Sequence, residues 1–494
     1  MLDLPDELLL LILDHSDLHS LLSLSVLCRR LHYIALPLYF TRHGIEHPTE
    51  HAKFDMLDNG KDVLSALQVA LFVPSIGELS CVFPHYQSIH PLFSHIRRLC
   101  RLFARLAFVH RVTLVLDGHA SLCGDSSDEG AATWAVEFGA LLNTILQRGC
   151  SHFTVRYGQF FTKALRSRPS RPAQFFRNLR QTELQLESAT DVAMEFDSEM
   201  SNLTHFSIES AVFLVPPCLS WSLSALEHCP ITCLEIFGIA LQTKVWSVML
   251  PAIAAAIPAL AELGLSKLYG IAGIDILQFL AKLPRLKRLT IGYTEYSKRV
   301  QSSCPDSGPV PKLYDLIHLS APSTFISHFL KKKTLPSLES LCITPRTLIL
   351  GSRGMRHIGR SVSDIVRRLE KYKLAPTVSL EIHRGRDADS EMAADLAMLP
   401  GEDLMRSLRA ITRLIIYSDV GLATVEFGTL ARWIACFPAL EEVSLRVDED
   451  VTWPSMDYVR RAISERNPHV KSLELNGVRL SENSREMPPS ITGV

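Results

Sequence analysis

The chain has 494 residues, 51 Lys+Arg against 52 Asp+Glu, and a formal net charge of -1. Apolar residues make up 47% and charged residues 21%, which excludes disorder as the main state and excludes binding of nucleic acid or anionic lipid through the overall field. Leucine alone accounts for 75 residues, an excess that points to a leucine-based repeat, and the 11 cysteines are odd in number and scattered, as for reduced thiols in the cytoplasm or nucleus.

The first forty residues carry dense helix signals. Leu4-Pro5 precedes Asp6-Glu7, and a proline followed by acids suits a helix start because neither the missing N–H nor the dipole opposes it. That helix continues through Leu13 and is apolar nearly all round. The same acids stand where a signal peptide needs positive charge. Asp17 caps a second helix carrying Leu18, Leu21, Leu22 and Leu24. A third runs from Arg29 to Thr41, with Pro37 near its end. Three short helices present more apolar surface than they can hide from one another, so a partner or a neighbouring domain must cover the excess.

The order L-P-D-E-L-L-L-L-I-L, then D-L-H-S-L-L-S-L-S-V-L-C-R-R-L, then A-L-P-L-Y resembles the F-box motif over residues 2 to about 43. The resemblance implies docking onto a Skp-type adaptor and, through it, a cullin-based ubiquitin ligase. It implies that Leu4, Pro5, Ile12, Leu13, Leu21, Leu24, Leu27, Cys28 and Leu31 make that contact. Ser16 departs from the usual leucine closing the first helix, and Leu27 from the usual valine before Cys28. The alternative is that these helices cap the core of the repeat domain.

Residues 44–110 read as a helical linker or capping region. Phe93, Ile96, Leu99, Leu102, Phe103 and Leu106 follow helical spacing, with Arg97, Arg98, Arg101 and Arg105 opposite, as expected of a solvated basic face. From about residue 111 a strand phrase recurs: apolar, two residues, apolar, one residue, apolar. It is clean at Leu203-Phe206-Ile208, Ile231-Leu234-Ile236, Leu260-Leu263-Leu265, Leu286-Leu289-Ile291, Leu338-Leu341-Ile343, Ile411-Leu414-Ile416, Leu440-Val443-Leu445 and Val470-Leu473-Leu475. Weaker copies stand at Leu114-Leu116, Phe153-Val155, Leu184-Leu186, Leu313-Leu316 and Leu380-Ile382. Pro258, Pro284, Pro336, Pro438 and Pro468 each precede the phrase and come after an amphipathic stretch. Proline forbids helix continuation and fixes an extended exit, so each unit is helix, proline turn, short strand. Helical crossovers force parallel strands.

The expected fold is α/β: a three-helix F-box at 1–43, the helical region at 44–110, a leucine-rich-repeat solenoid with strands inside and helices outside at 111–480, and a disordered tail at 481–494. A doubly wound α/β domain would need longer, continuously apolar strands and Gly-rich turns. The repeats resemble those found behind an F-box, in the irregular fungal form, without the usual Asn ladder. Loop insertions are expected at 117–130, 297–312 and 383–403. The longest apolar run, 248–261, contains two prolines and is too short to span a bilayer.

No phosphate loop, dinucleotide glycine pattern, His-Glu-x-x-His or nucleophile elbow occurs. His228, Cys229 and Cys233 lack the second cluster of a zinc site, and Asp387, Asp389 and Glu391 lack the Gly and Glu of a calcium loop. No cofactor or metal is called for. Between the inward apolar positions, the exposed strand residues form a candidate inner face: Glu262, Ser266, Arg288, Thr290, Ser340, Thr344, Glu442, Ser444 and Arg446. Its mixed charge suits an unidentified protein target, with no nucleic acid and no membrane. The reading is a non-catalytic substrate-recognition subunit of an SCF-type ligase, cytoplasmic and/or nuclear. The alternative is a leucine-rich interaction scaffold outside a ubiquitin ligase.

Overall fold

The computed structural model describes residues 4–56, 63–83, 89–116, 128–158, 194–197, 201–215, 218–292, 294–295, 310–331, 334–344, 354–384, 402–418, 424–447 and 454–480. The chain is mixed α/β with mostly parallel strands. It divides into two compact units, residues 1–260 with 268–270 and residues 261–267 with 271–494.

The first unit opens with three helices, α1 Asp6–Asp14, α2 Leu18–Ser25 and α3 Arg29–Arg42. Asp17 caps α2 as its position suggests, accepting the Ser20 N–H at 2.8 Å. Hydrogen bonds from Ser20 hold its carboxyl below the usual range. Arg30 ties α3 back to the start of α1 through Asp6, at 2.8 Å, and the Leu4 carbonyl. Arg42 takes the carbonyls of Asp14 and Ser16 at the end of α1, where a helix leaves acceptors unsatisfied. Leu9, Leu13, Leu21, Leu31, Ala35, Leu36, Tyr39 and Phe40 form the core of this bundle.

The sheet of this unit begins sooner than the sequence suggests. Strands β1 His51–Asp55 and β2 Ser75–Phe83 lie inside the region expected to be a helical linker, alongside helices α4 Val63–Val69 and α5 Ile89–Arg105. Strand β3 Phe108–Leu116, helix α6 Asp128–Gln147, β4 His152–Tyr157, β5 His205–Glu209, helix α7 Cys218–His228 and β6 Cys233–Phe237 come next. Six strands pair in chain order and all in parallel. Leu79, Val112, Phe153, Phe206 and Leu234 stand opposite one another across them, and Cys81, Leu114, Val155, Ile208 and Ile236 form the next row. Every one of these side chains is buried. Thus Ile76-x-x-Leu79-x-Cys81 is itself a copy of the phrase, with a cysteine acting as a small apolar residue. Around Phe153 and Phe206, whose rings stack at 5.9 Å, Phe213 and Trp221 pack edge-on.

The arginines of α5 are not a bare basic face. Arg97 pairs with Glu137 at 2.6 Å, Arg98 reaches the Ser65 hydroxyl at 3.0 Å, and Arg105 donates to the carbonyls of Leu67, Ala70 and Val73.

In the second unit, β7 Glu262–Ser266, helix α8 Gly273–Leu280, β8 Arg288–Ile291, β9 His318–Pro322, helix α9 Ser323–Phe329, β10 Ser340–Thr344, helix α10 Gly354–Tyr372, β11 Thr377–Arg384, helix α11 Glu402–Leu408, β12 Ile411–Ser418, helix α12 Thr424–Ile434, β13 Glu442–Val447, helix α13 Met456–Ser464 and β14 Ser472–Leu475 repeat the same plan. These strands too are parallel and sequential, until β15 Val478–Arg479 pairs antiparallel with β14. Leu263, Leu289, Leu319, Leu341 and Val378 form one buried row. The strand therefore falls at Leu319, and Leu313 and Leu316 sit in the turn before it. Between β10 and β11 the register is regular and Ile343 stands opposite Leu380. Between β11 and β12 it shifts by one residue after Val378, which faces Ile411, so that Leu380 faces Leu414 and buried residues still meet buried residues. Pro258, Pro284, Pro336, Pro438 and Pro468 are exposed in the turns between helix and strand.

Two expected loops are shorter than read from composition. Residues 128–130 begin α6, His383 and Arg384 end β11, and Glu402 begins α11. Residues 117–127, 297–309, 385–401 and the tail at 481–494 lie outside the described residues, as does Leu184-Leu186.

Trp221 is fully buried and its indole N–H donates to Asn143 at 2.8 Å. Trp221→Ala leaves a large cavity, so it is expected to cost about 3–5 kcal/mol in urea unfolding.

Candidate functional site

The helix α1 has two apolar faces. Leu9 and Leu13, four residues apart, point into the bundle and are buried. Leu8, Leu11 and Ile12, at the spacing of the opposite face, are 46%, 62% and 44% exposed. In the turn between α2 and α3, Val26 and Leu27 are exposed as well, at 61% and 69%. Leu10 is exposed too, and large apolar side chains gathered like this on one small bundle, unlike single exposed ones, mark an interaction site.

Of the nine residues expected to dock an adaptor, Pro5, Ile12 and Leu27 are exposed, and Leu4, Leu24 and Cys28 are half-buried. Leu13, Leu21 and Leu31 are buried in the bundle core and offer no surface, so they are corrected to structural positions. The sequence does not single out Leu8, Leu11 and Val26. Their signal lies in the all-round apolarity of α1, but only packing decides which leucines turn outward. Ser16 is half-buried at the end of α1, where its carbonyl accepts from Arg42.

On the polar face of the second unit, Arg288, Glu442 and Arg446 are exposed, and Glu262, Ser266, Thr290 and Ser340 are half-buried. Thr344 and Ser444 are buried, a correction to the expected inner face. Thr344 closes its strand, and Ser444 is a small side chain between the larger Ile415 and Glu474 in register. Glu262 faces Arg288 at 3.6 Å, and Arg413 lies 3.3 Å from Glu442 and 4.0 Å from Glu474. A stack that the degraded phrase at Leu380 concealed sits beside them. His383 lies flat on Tyr417 at 4.7 Å, the Arg446 guanidinium lies over the Tyr417 ring at 5.4 Å, and its Nη1 donates to the Tyr417 hydroxyl at 3.1 Å. Glu381 faces His383 at 3.2 Å.

Burial, with Glu381 nearby, pushes the Cys342 thiol up to about 12, so it is protonated and inert near neutral pH. Burial and Glu381 also raise Tyr417. Among the described residues no group of three His, Cys, Asp or Glu could hold a metal ion, and no helix is long and apolar enough to cross a membrane. His228 bonds the Ser224 carbonyl at 3.0 Å and Cys229 the Ser201 hydroxyl at 3.0 Å, which accounts for both locally.

The polar face of the first unit carries a ladder of imidazoles. His152 stacks on His205 at 4.0 Å and tilts against His110 at 5.0 Å. The Ser151 hydroxyl lies 2.8 Å from Nδ1 of both His110 and His152. Arg111 stands opposite His152 in register, and 3.8 Å from Glu78, which also faces His51 at 3.5 Å. Burial, then the neighbouring His205, Arg111 and His110, lower His152 to about 4.

Residues 1–43 match the F-box domain. Among solved structures, the chain is similar to one described as the complex of Rad7 and Elc1 in yeast, at 12% identity, covering 92% of this chain and 93% of that one, with a TM-score of 0.35. No curated protein matches.

The lowered His152 gives a pH dependence of known sign. The unfolded chain binds its proton below the ordinary value of 6.5 and the folded chain only near 4. This contribution to stability is therefore complete above the first value and declines as pH falls toward the second. His152→Phe keeps a ring on His205 and removes the proton. Wild-type stability relative to that variant, from urea unfolding, is expected to fall over this window and to stay flat above it.

Proposed function

We propose that this chain is the target-recognition subunit of an SCF-type ubiquitin ligase, holding a Skp-type adaptor, and through it a cullin, with the three N-terminal helices. The observation that carries the reading is the second apolar face of those helices. Their core is complete without Leu8, Leu11, Ile12, Val26 and Leu27, and residues 1–43 carry the F-box match. A cap of the neighbouring domain would turn such a face inward.

Behind these helices, the repeated helix and parallel strand with periodic buried leucines is read as an irregular leucine-rich solenoid. Its polar strand face, with His383, Tyr417, Arg446 and the Arg413–Glu442 pair, is read as the surface that takes a protein target. Catalysis would then be by proximity: the subunit raises the local concentration of a target lysine near the ubiquitin thioester and needs no reactive group of its own.

The double variant Leu11→Asp, Ile12→Asp places charge in a face that must lose water on docking. Capture of the adaptor by the full chain is expected to fall by about 100-fold or more, with the circular dichroism spectrum unchanged because neither residue is in the core. Undiminished capture would refute the reading.

A further inference from the structure

One imidazole bridges the F-box helices and the turn after α4. His32, on α3, is 5% exposed. The Leu71 N–H, in that turn, donates to its Nε2 at 3.0 Å. A backbone N–H can only donate, so Nε2 carries a lone pair. The other nitrogen, Nδ1, lies 3.0 Å from the Ser25 carbonyl at the end of α2, which can only accept. The ring is therefore neutral with its proton on Nδ1, a tautomer fixed by its partners.

The same turn is held from its other side by Arg105 of α5, which donates to the carbonyls of Leu67, Ala70 and Val73. Phe72, next to Leu71, packs its ring on His32 at 5.8 Å, Tyr33 at 5.8 Å and Phe40 at 6.3 Å. The turn thus has its N–H taken by the F-box and its carbonyls taken by the sheet-bearing part of the unit. The groups facing the imidazole are the Ser25 carbonyl from α2, Tyr33 on its own helix, and Leu71 and Phe72 from the turn. The charged group bonded to that turn is Arg105.

We propose that neutral His32 is a positioning residue: it latches the adaptor-binding helices to the turn at 70–73 and so fixes where a docked adaptor stands relative to the strands of the first unit. Loss of the imidazole removes the acceptor of the Leu71 N–H at that place and opens the latch. Leu8, Leu11, Ile12, Val26 and Leu27 do not take part, so docking and latching are separable. The functional consequence rests on the ligase reading above; the latch itself does not.

The test is amide hydrogen exchange of the full chain at neutral pH, measured in peptides covering Leu71 and Phe72. Gln at this position can accept from Leu71 and donate to Ser25. Protection at Leu71 is expected to fall by about tenfold in His32→Ala and to be restored to the wild-type level in His32→Gln. A His32→Ala variant that keeps wild-type protection, or a His32→Gln variant that does not regain it, would overturn the latch. Adaptor capture, scored in the same samples, is expected to be equal in all three proteins at neutral pH. Its failure in the wild type would count against the ligase reading alone, leaving the exchange result to decide the latch.

Discussion

A strand of five residues that buries two side chains cannot hold a core by itself. Its inward residues are covered only when the next helix and strand stack beside it in the same register. Leu79, Val112, Phe153, Phe206 and Leu234 are stable inside because each covers the next, at about 1.5–3 kcal/mol for each large side chain fully buried. The same holds for Leu263, Leu289, Leu319, Leu341 and Val378 in the second unit. This constraint sets the rest: strands pair in parallel and in chain order, polar residues alternate with the buried ones along each strand, and prolines mark the turns.

Much of this is legible in the chain. The apolar phrase locates the strands from Phe206 onward except the one at Leu319, where it falls on the preceding turn, and the prolines locate the turns, because both are local properties of chain and side chain. The illegible parts depend on neighbours. Cys81 fills an apolar place that its thiol disguises, and β1 holds its face with Ala52 and Phe54 alone, so two strands read as helical linker. Arg105 reads as a solvated charge, yet it caps carbonyls about thirty residues away in sequence. In α1 the composition announces an excess of apolar surface, but only packing shows that Leu9 and Leu13 turn inward and Leu8, Leu11 and Ile12 outward. The contact of His32 with Leu71 leaves no trace in any spacing.

The separation of faces gives the functional account its shape. The N-terminal bundle completes its own core, clamped by Arg30 and Arg42, and keeps a second apolar surface open. The strand rows expose paired charges and stacked rings, Glu381, His383, Tyr417 and Arg446 among them. An open apolar face at one place and a mixed polar face at another suit a molecule that joins two proteins. His32 ties the N-terminal helices to the turn after α4 through the Leu71 N–H, the contact on which the proposed latch rests.

Mapping amide exchange over the whole chain, with and without a bound Skp-type adaptor, tests this account most directly. Protection is expected in α1 around Leu8–Ile12 and in the turn at Val26–Leu27, with the strand rows of both units unchanged. Protection on the strand rows with α1 left open, or no protection anywhere at saturating adaptor, would contradict it.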